Sequence, residues 1–352
     1  MPTNQTKIYE LKKMTKDQLK QIFNITQEVS KNDNLLISKR WSTFAPMRGL
    51  VDTPDKSNLN EFIRDSKLDD CVEFVKEVEG EIVSCVGVLR KLSGGVTGYS
   101  PWTVIPEFCI LTDVWTHPNY RSRGHIQEII PLALRYAKEK WKKTTILLGV
   151  TSLNAPARHI YESAGFADYA YWMTGIPDRN LWKENGRYTF DMPKRMKDIQ
   201  HDGYCKQTFA QQVKFDKKNN DLFKALGTSE TDIWNKLCEY TDQDKRNGKP
   251  IYKVMLEHEG RMFATHRALS NYPTIWHLSA HHTIRSHGIR EYLPLFSKIF
   301  DTERFELERD GYLKERDLTC LWYPTLDCSI HYRNDAMTYG FIDASVGMYR
   351  SL

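Results

Sequence analysis

Trp115-Thr116-His117-Pro118-Asn119-Tyr120-Arg121-Ser122-Arg123-Gly124-His125-Ile126 is the stretch whose reading decides the fold. The residues leading into it, Phe108-Cys109-Ile110-Leu111-Thr112-Asp113-Val114-Trp115-Thr116, are mostly β-branched, aromatic or aliphatic and read as a strand. After Gly124 the period changes. Ile126, Ile129, Ile130, Ala133, Ala137 and Trp141 fall three or four apart, the spacing of one buried helix face. The turn between the two has a small residue where the backbone must come close and basic residues on either side. Such a turn leaves the first N–H groups of the helix free to bind a phosphate. Pro131 sits within the helix pattern, where a proline removes a hydrogen bond and bends the axis.

Arg121-x-x-Gly124-x-Ile126 resembles the pyrophosphate loop of the GNAT superfamily of acyl-CoA N-acyltransferases, written Gln/Arg-x-x-Gly-x-Gly/Ala, and Thr116-x-Pro118-x-Tyr120-Arg121 resembles the approach to it. Ile126 departs from the pattern, and its side chain either crowds the pyrophosphate or turns into the core. A second match follows a short apolar strand at 143–150. Asn154-Ala155-Pro156-Ala157-Arg158-His159-Ile160-Tyr161-Glu162-Ser163-Ala164-Gly165-Phe166 resembles the family's N-x-x-A-x-x-x-Y-x-x-x-G-F element. Read physically, Asn154 caps a helix, Pro156 suits its first turn and Gly165 ends it in a left-handed conformation.

The resemblance implies an α/β (α+β) fold, with a GNAT-type mixed sheet flanked by helices in the N-terminal half. It implies that Arg121, Ser122, Arg123, Gly124, His125 and Ile126 hold the pyrophosphate of acetyl-CoA. Val114, Trp115 and Thr116 would supply main-chain contacts to the pantetheine arm, Asn154 would lie along that arm, and Tyr161 would be the acid near the sulfur. The amine must lose a proton before it attacks a thioester, so a base is needed. Glu107 and Asp113 are the carboxylates on or beside the core strand, on one phase of its alternation, opposite Val114 and Thr116. The bland alternatives are that Asp113 caps a neighbouring loop, that Glu107 is merely solvated, and that water relays replace a fixed base.

The whole chain bounds these readings. Its 352 residues suffice for two ordinary domains, and a composition of 40% hydrophobic and 27% charged residues is that of a globular protein. The first residues lack the apolar stretch of a signal peptide and no run of eighteen apolar residues occurs, so a cytoplasmic protein without a membrane span is expected. Seven scattered cysteines form no C-x-x-C pair, which indicates neither a disulfide framework nor a zinc site. The net charge of +5 suits an anionic cofactor but lacks the concentrated basic face of a nucleic-acid binder.

Around the central stretch, Lys7-Ile8-Tyr9-Glu10-Leu11 is a first strand and a helix begins near Thr15. A polar segment broken by Pro46 and Pro54 follows from Asn32 to Lys67. Trp41, Phe44 and Met47 in it either line an acceptor site or pack a long loop. Val72 to Val78 and Ile82 to Leu89, joined at Glu79-Gly80, form a hairpin. We expect the acyl-CoA domain at 1–176, a linker at 177–206 and a second domain at 207–352.

Within that second domain a hairpin (Ile251 to Thr265), a strand (Thr274 to Ala280), Arg285-Ser286-His287-Gly288 and an amphipathic segment (Tyr292 to Phe300) repeat the order of the first half. It is therefore either a degenerate GNAT-like copy or a distinct accessory domain. His277, His281, His282 and His287 have no carboxylate or cysteine at ligand spacing, and no metal is expected. The sequence thus points to an acetyl-CoA-dependent N-acetyltransferase acting on a primary amine, small-molecule or peptide, by direct attack in a ternary complex. Val114-Trp115-Thr116-His117-Pro118 followed by a sizeable C-terminal domain also resembles the fungal-type free-lysine acetyltransferases. The alternative is a catalytically inactive GNAT-fold protein that binds CoA.

Overall fold

The computed structural model describes residues 5–10, 13–41, 59–60, 70–90, 105–175, 194–195, 210, 213–214, 216–218, 220–236, 251–258, 261–269, 272–280, 320–326, 333–334, 337–338 and 342–352, some by backbone alone. They fall into two units. The first runs to Ala167 and takes back Gly347–Leu352, and the second lies within Asp168–Val346. The chain is a mixed α/β fold. Its first unit contains β1 (Gln5–Tyr9), α1 (Lys16–Trp41), β2 (Cys71–Val78), β3 (Glu81–Leu89), β4 (Phe108–Thr116), α2 (His125–Glu139), β5 (Thr145–Thr151) and α3 (Ala155–Ser163). Then come β6 (Ala167–Gly175), β7 (Lys194–Arg195), α4 (Asp221–Lys224), β8 (Ile251–His258), β9 (Arg261–Leu269), β10 (Tyr272–Ala280), β11 (Cys320–Leu326) and β12 (Ile342–Ser351).

In the first unit β1, β2, β3 and β4 are antiparallel neighbours, and β4 is parallel to β5. The β2–β3 turn puts Glu79 at φ 54 and Gly80 at φ 88. Two successive left-handed residues are what a tight hairpin between twisted strands requires. Beyond β5 lies β12, and the Leu352 amide donates to the Thr144 carbonyl at 2.9 Å.

Successive residues of β2 point to opposite faces and so report what covers each. Val75 belongs to a buried cluster with Leu19, Ile22 and Val29 of α1, and with Ile82, Cys85 and Trp115. Phe74 meets Tyr136 of α2 edge to face, ring centroids 5.6 Å apart. One helix therefore covers each face. The buried face of α2 holds Ile126, Ile129, Ile130, Ala133 and Ala137, as the spacing predicted, together with His125 and Leu134; the helix runs on through Pro131 and ends at Glu139, before the expected Trp141. Burying an isoleucine such as Ile129 contributes roughly 1.5–3 kcal/mol.

α1 starts at the expected place. Thr15 and Gln18 cap it reciprocally, the Gln18 amide donating to Thr15 Oγ1 at 3.3 Å and the Thr15 amide to Gln18 Oε1 at 3.0 Å. It continues to Trp41, so the broken polar segment does not begin at Asn32. Lysine and leucine at 31–40 are good helix formers, and polar composition alone does not end a helix. Phe44, Met47 and residues 91–104 lie outside the described residues, and the Trp41 side chain is not described.

The second unit repeats the strand pairing. β8 and β9 are antiparallel, β9 and β10 antiparallel, and β10 and β11 parallel. Two-residue β7 pairs with the outer edge of β8, and β6 pairs antiparallel with β11. The expected Arg285 loop, the Tyr292–Phe300 segment, and His281, His282 and His287 lie outside the described residues.

Candidate active site

The site is built where β4 stops being regular. Gly87 of β3 is opposite Thr112 and Cys85 is opposite Trp115, so Val86 alone faces both Asp113 and Val114. Two residues against one is a β-bulge, which bends and twists the strand that carries it. Asp113 takes the strain, at φ 49. Aspartate tolerates this left-handed region better than most residues do. The register between β4 and β5 covers only Phe108 to Ile110 against Thr145 to Leu147. Past that point the strands part, on the side of β4 away from β3. The far end of β4 is tied to β3 instead, Ser84 Oγ donating to the Trp115 carbonyl at 3.0 Å and the His117 amide to the Val83 carbonyl at 2.9 Å.

A single 3-10 turn, Pro118–Tyr120, leads from β4 into the loop. Arg121 Nε donates to the Thr116 carbonyl at 3.2 Å, and Arg123 Nη2 to the Asn119 carbonyl at 3.1 Å while its guanidinium covers the Tyr120 ring. These contacts hold the loop backbone. Ser122 and Gly124 are left-handed, at φ 61 and 77, with Arg123 between them. Alternation of this kind turns successive amides toward one concavity that favours an anion. Among the described residues, none accepts from the amides of Ser122, Arg123, Gly124, His125, Ile126 or Gln127. A Cβ built on Gly124 would meet nothing within 4 Å. Its glycine is required by the backbone angle, and space lies in front of it. Open amides at the N-terminus of a fifteen-residue helix, with two arginines alongside, fit the diphosphate of a CoA.

Two side chains of the loop are decided by burial. Ile126 is 6% exposed and belongs to the core face of α2. His125 is 7% exposed, and among the described residues neither ring nitrogen has a partner. Burial, then the nearby Lys76 ammonium, lowers its pKa and keeps it neutral. Lys76 is itself buried and pairs with Glu128 at 2.5 Å.

Asn154 caps α3, its Oδ1 accepting from the Ala157 amide at 3.3 Å. Tyr161 on that helix is 6% exposed and stacks edge to face with Phe166. Its hydroxyl makes no hydrogen bond to a described residue, and burial pushes its pKa up to about 12. Gly165 ends the helix at φ 82, and the Arg350 guanidinium from β12 donates to the Ala164 carbonyl beside it.

The two carboxylates expected on β4 do not meet. Glu107 precedes the strand, its carbonyl accepting from the Thr144 amide at 3.1 Å. Six residues of extended chain, roughly 20 Å, separate it from Asp113. The bulge also breaks the alternation on which their shared phase rested. Asp113 stays accessible to water, while surrounding protein raises its carboxyl pKa and a hydrogen bond with Thr112 opposes the rise. A carboxylate set in a depression satisfies both observations.

A third carboxylate, Glu73, was not anticipated. It is 2% exposed in the middle of β2, and its Oε2 accepts from the Cys85 thiol at 2.7 Å. Burial first, then the Asp113 charge, pushes its pKa up to about 8. The signal in the sequence was a glutamate inside Val72-Glu73-Phe74-Val75. It has meaning only once β3 places Gly87 opposite it.

A bulged, splayed β4 feeds an open-amide helix N-terminus, and a capped tyrosine-bearing helix follows β5, an arrangement that fits an acyl-CoA. Residues 39–166 match the family model described as the Acetyltransferase (GNAT) family. That match spans a little over a third of the chain and lies almost wholly within the first unit. Over its whole length it is similar to a tandem GNAT protein from the clavulanic acid biosynthesis pathway, with TM-score 0.50 and 11% identity, covering 99% of this chain and 98% of that one. That similarity shows a shared fold with two units. Further matches are a probable N-acyltransferase from Enterococcus faecalis (TM-score 0.46, 14% identity, 99% of this chain and 73% of that one) and a putative acetyltransferase from Pyrococcus horikoshii (0.41, 10%, 100% and 91%). No curated protein matches in sequence.

Proposed function

We propose that the first unit transfers an acetyl group from acetyl-CoA to a primary amine, by direct attack within a ternary complex. The observation that carries the reading is the set of open amides around Gly124 beside the splayed end of β4. The loop amides and Arg121 and Arg123 bind the diphosphate, and main-chain groups of Val114, Trp115 and Thr116 align the pantetheine arm along the free edge of β4. Asn154 positions α3 beside it. Acetyl-CoA supplies the activated acyl group. Asp113, accessible and raised in pKa, takes a proton from the ammonium. The nitrogen forms its bond to the acyl carbon as the C–S bond breaks, and a β4 amide stabilises the oxyanion. Tyr161 keeps its proton in its buried setting and gives it to the departing thiolate, and the second proton shed by the acylated nitrogen restores the tyrosine hydroxyl. The acceptor is a small-molecule or peptide amine, and the setting is cytoplasmic.

The competing reading, a CoA-binding protein without turnover, drew on Ile126. With that side chain in the core, the departure from the family pattern leaves the loop open. Free thiol release from acetyl-CoA with pooled primary amines tests the reading. Amine-dependent release is expected, with a loss on the order of 100-fold in Tyr161→Phe, and Gly124→Glu should abolish acetyl-CoA binding. Tight binding without release across the pool would leave only the binding protein.

A further inference from the structure

The face of the sheet beneath α1 carries a polar group that the reaction as drawn does not use. Glu73 and Gly87 are register partners on β2 and β3, and Gly87 faces Thr112 across the next pairing. A Cβ built on Gly87 would lie 3.3 Å from Asp113 Oδ2, and closer still to Thr112. Cross-strand partners have Cβ positions about 5 Å apart. The glycine therefore lets Thr112 and the Asp113 carboxylate settle over β3 at the position whose partner on β2 is Glu73. Glu73 is held there by the Cys85 thiol. Cys85 is also the register partner of Trp115, and both belong to the same buried cluster. The Trp115 indole N–H, buried in that cluster, has no partner among the described residues. This face thus holds a buried donor with nothing to bind and a buried acid in reach of the bulge.

We propose that Glu73 is a positioning residue acting through Asp113: across Gly87 it holds the Asp113 carboxylate as the acceptor of the amine's proton. The inference rests on the transferase reading above. When Asp113 is ionised, Glu73 keeps its proton, because it is buried and a neighbouring negative charge opposes a second one. The pair then presents one negative charge to an ammonium. When Glu73 ionises as well, Asp113 becomes the stronger base.

The titratable groups facing Glu73 are Asp113, Cys85 and Cys71. Tyr9, its partner on β1, turns its hydroxyl to Glu77. The described α1 residues packed over this face are apolar. No described cation offsets the pair.

The test uses the full chain and two readouts. Carbon-13 NMR of labelled Glu and Asp carboxyls follows the midpoint of Glu73, identified by its loss in Glu73→Gln. In Asp113→Asn, which keeps a side chain tolerant of the left-handed backbone, that midpoint should fall by about one pH unit. A midpoint that does not move overturns the proposal without reference to activity. In the second readout, wild-type kcat/KM for ethylamine should rise through a step near pH 8 that Glu73→Gln lacks. The variant should match wild type below the step and lag by roughly threefold to tenfold above it. Parallel profiles overturn the role. Calorimetry with acetyl-CoA separates the two levels: wild type that binds none sinks the transferase reading itself, whereas normal binding in Glu73→Gln with an altered profile supports the pair.

Discussion

The strands β2–β3–β4–β5 and β8–β9–β10–β11 have the same pairing, antiparallel, antiparallel, parallel, and both hairpins shift register near their turns, yet the third strands are irregular in different places. In the first frame the β3–β4 register slips between Thr112 and Trp115, near the end of β4 that leads to the Gly124 loop. In the second the β9–β10 register slips between Tyr272 and Trp276, at the start of β10, and runs unbroken from Trp276 to Ala280. The frame is a matter of hydrogen-bonded pairing and can be repeated at little chemical cost. What is not repeated is a bulge at the loop-bearing end: among the described residues only β4 has one there.

Both frames are also completed from elsewhere in the chain. β5 is flanked by β12, and β11 by β6. The largest effect should come from breaking one of these and sparing the other. Removing Gly347–Leu352 deletes fully buried Met348, the Leu352–Thr144 hydrogen bond and the Arg350 contact at the end of α3. Met348→Ala alone should cost about 2–5 kcal/mol, and the deletion more. Hydrogen exchange should show lost protection in β4, β5 and α3 with β8–β10 unchanged. Equal loss in both frames would mean that they are not separate folding regions.

Next in size is the chemistry at the bulge. Asp113→Asn suits φ 49 and so leaves the fold near wild type, but it cannot take a proton. Amine-dependent thiol release should fall by about 100-fold or more, while acetyl-CoA affinity stays within about twofold. A proportional loss of affinity would instead make Asp113 a binding residue, and the contrast with β10 would then concern cofactor geometry and not proton transfer.

How far the sequence foretold this contrast depends on the range of each interaction. The α2 face from Ile126 to Ala137, the Thr15–Gln18 cap and the Glu79-Gly80 turn are written in residues a few positions apart, and all are found where local rules put them. Asp113 was singled out because a carboxylate in an apolar strand is unusual, but the bulge that exposes it is a register between two strands and leaves no local mark. Glu73 depends on Gly87, fourteen residues on. The return of Gly347–Leu352 depends on contacts across almost the whole chain, which no periodicity encodes.

A purely thermodynamic effect sharpens the picture of Glu73. Its ordinary pKa of 4.5 is raised to about 8 in the folded chain. Between those values the folded state keeps a proton that the unfolded state has released, so stability falls as pH rises through that window and levels off above it. The slope from this group is at most about 1.4 kcal/mol per pH unit. Urea midpoints from pH 5 to 8 should show Glu73→Gln gaining on wild type as pH rises. A constant offset between them would mean that Glu73 is not protonated in the folded protein at neutral pH.

The smallest effect is expected at Glu107, and it is informative because the sequence ranked this residue beside Asp113. Its side chain is only half-buried, and it precedes the regular part of β4, where the strand is still paired to β5. The main-chain carbonyl, not the carboxylate, makes the contact with Thr144, and a substitution leaves that bond in place. Glu107→Gln should therefore change stability by no more than about 0.5 kcal/mol, and kcat/KM by less than about twofold at any pH. A hundredfold loss there, with Asp113→Asn mild, would move the proton acceptor to the paired end of β4. The bulge would then explain only how the cofactor arm is seated, and the difference between the two frames would lose its catalytic meaning.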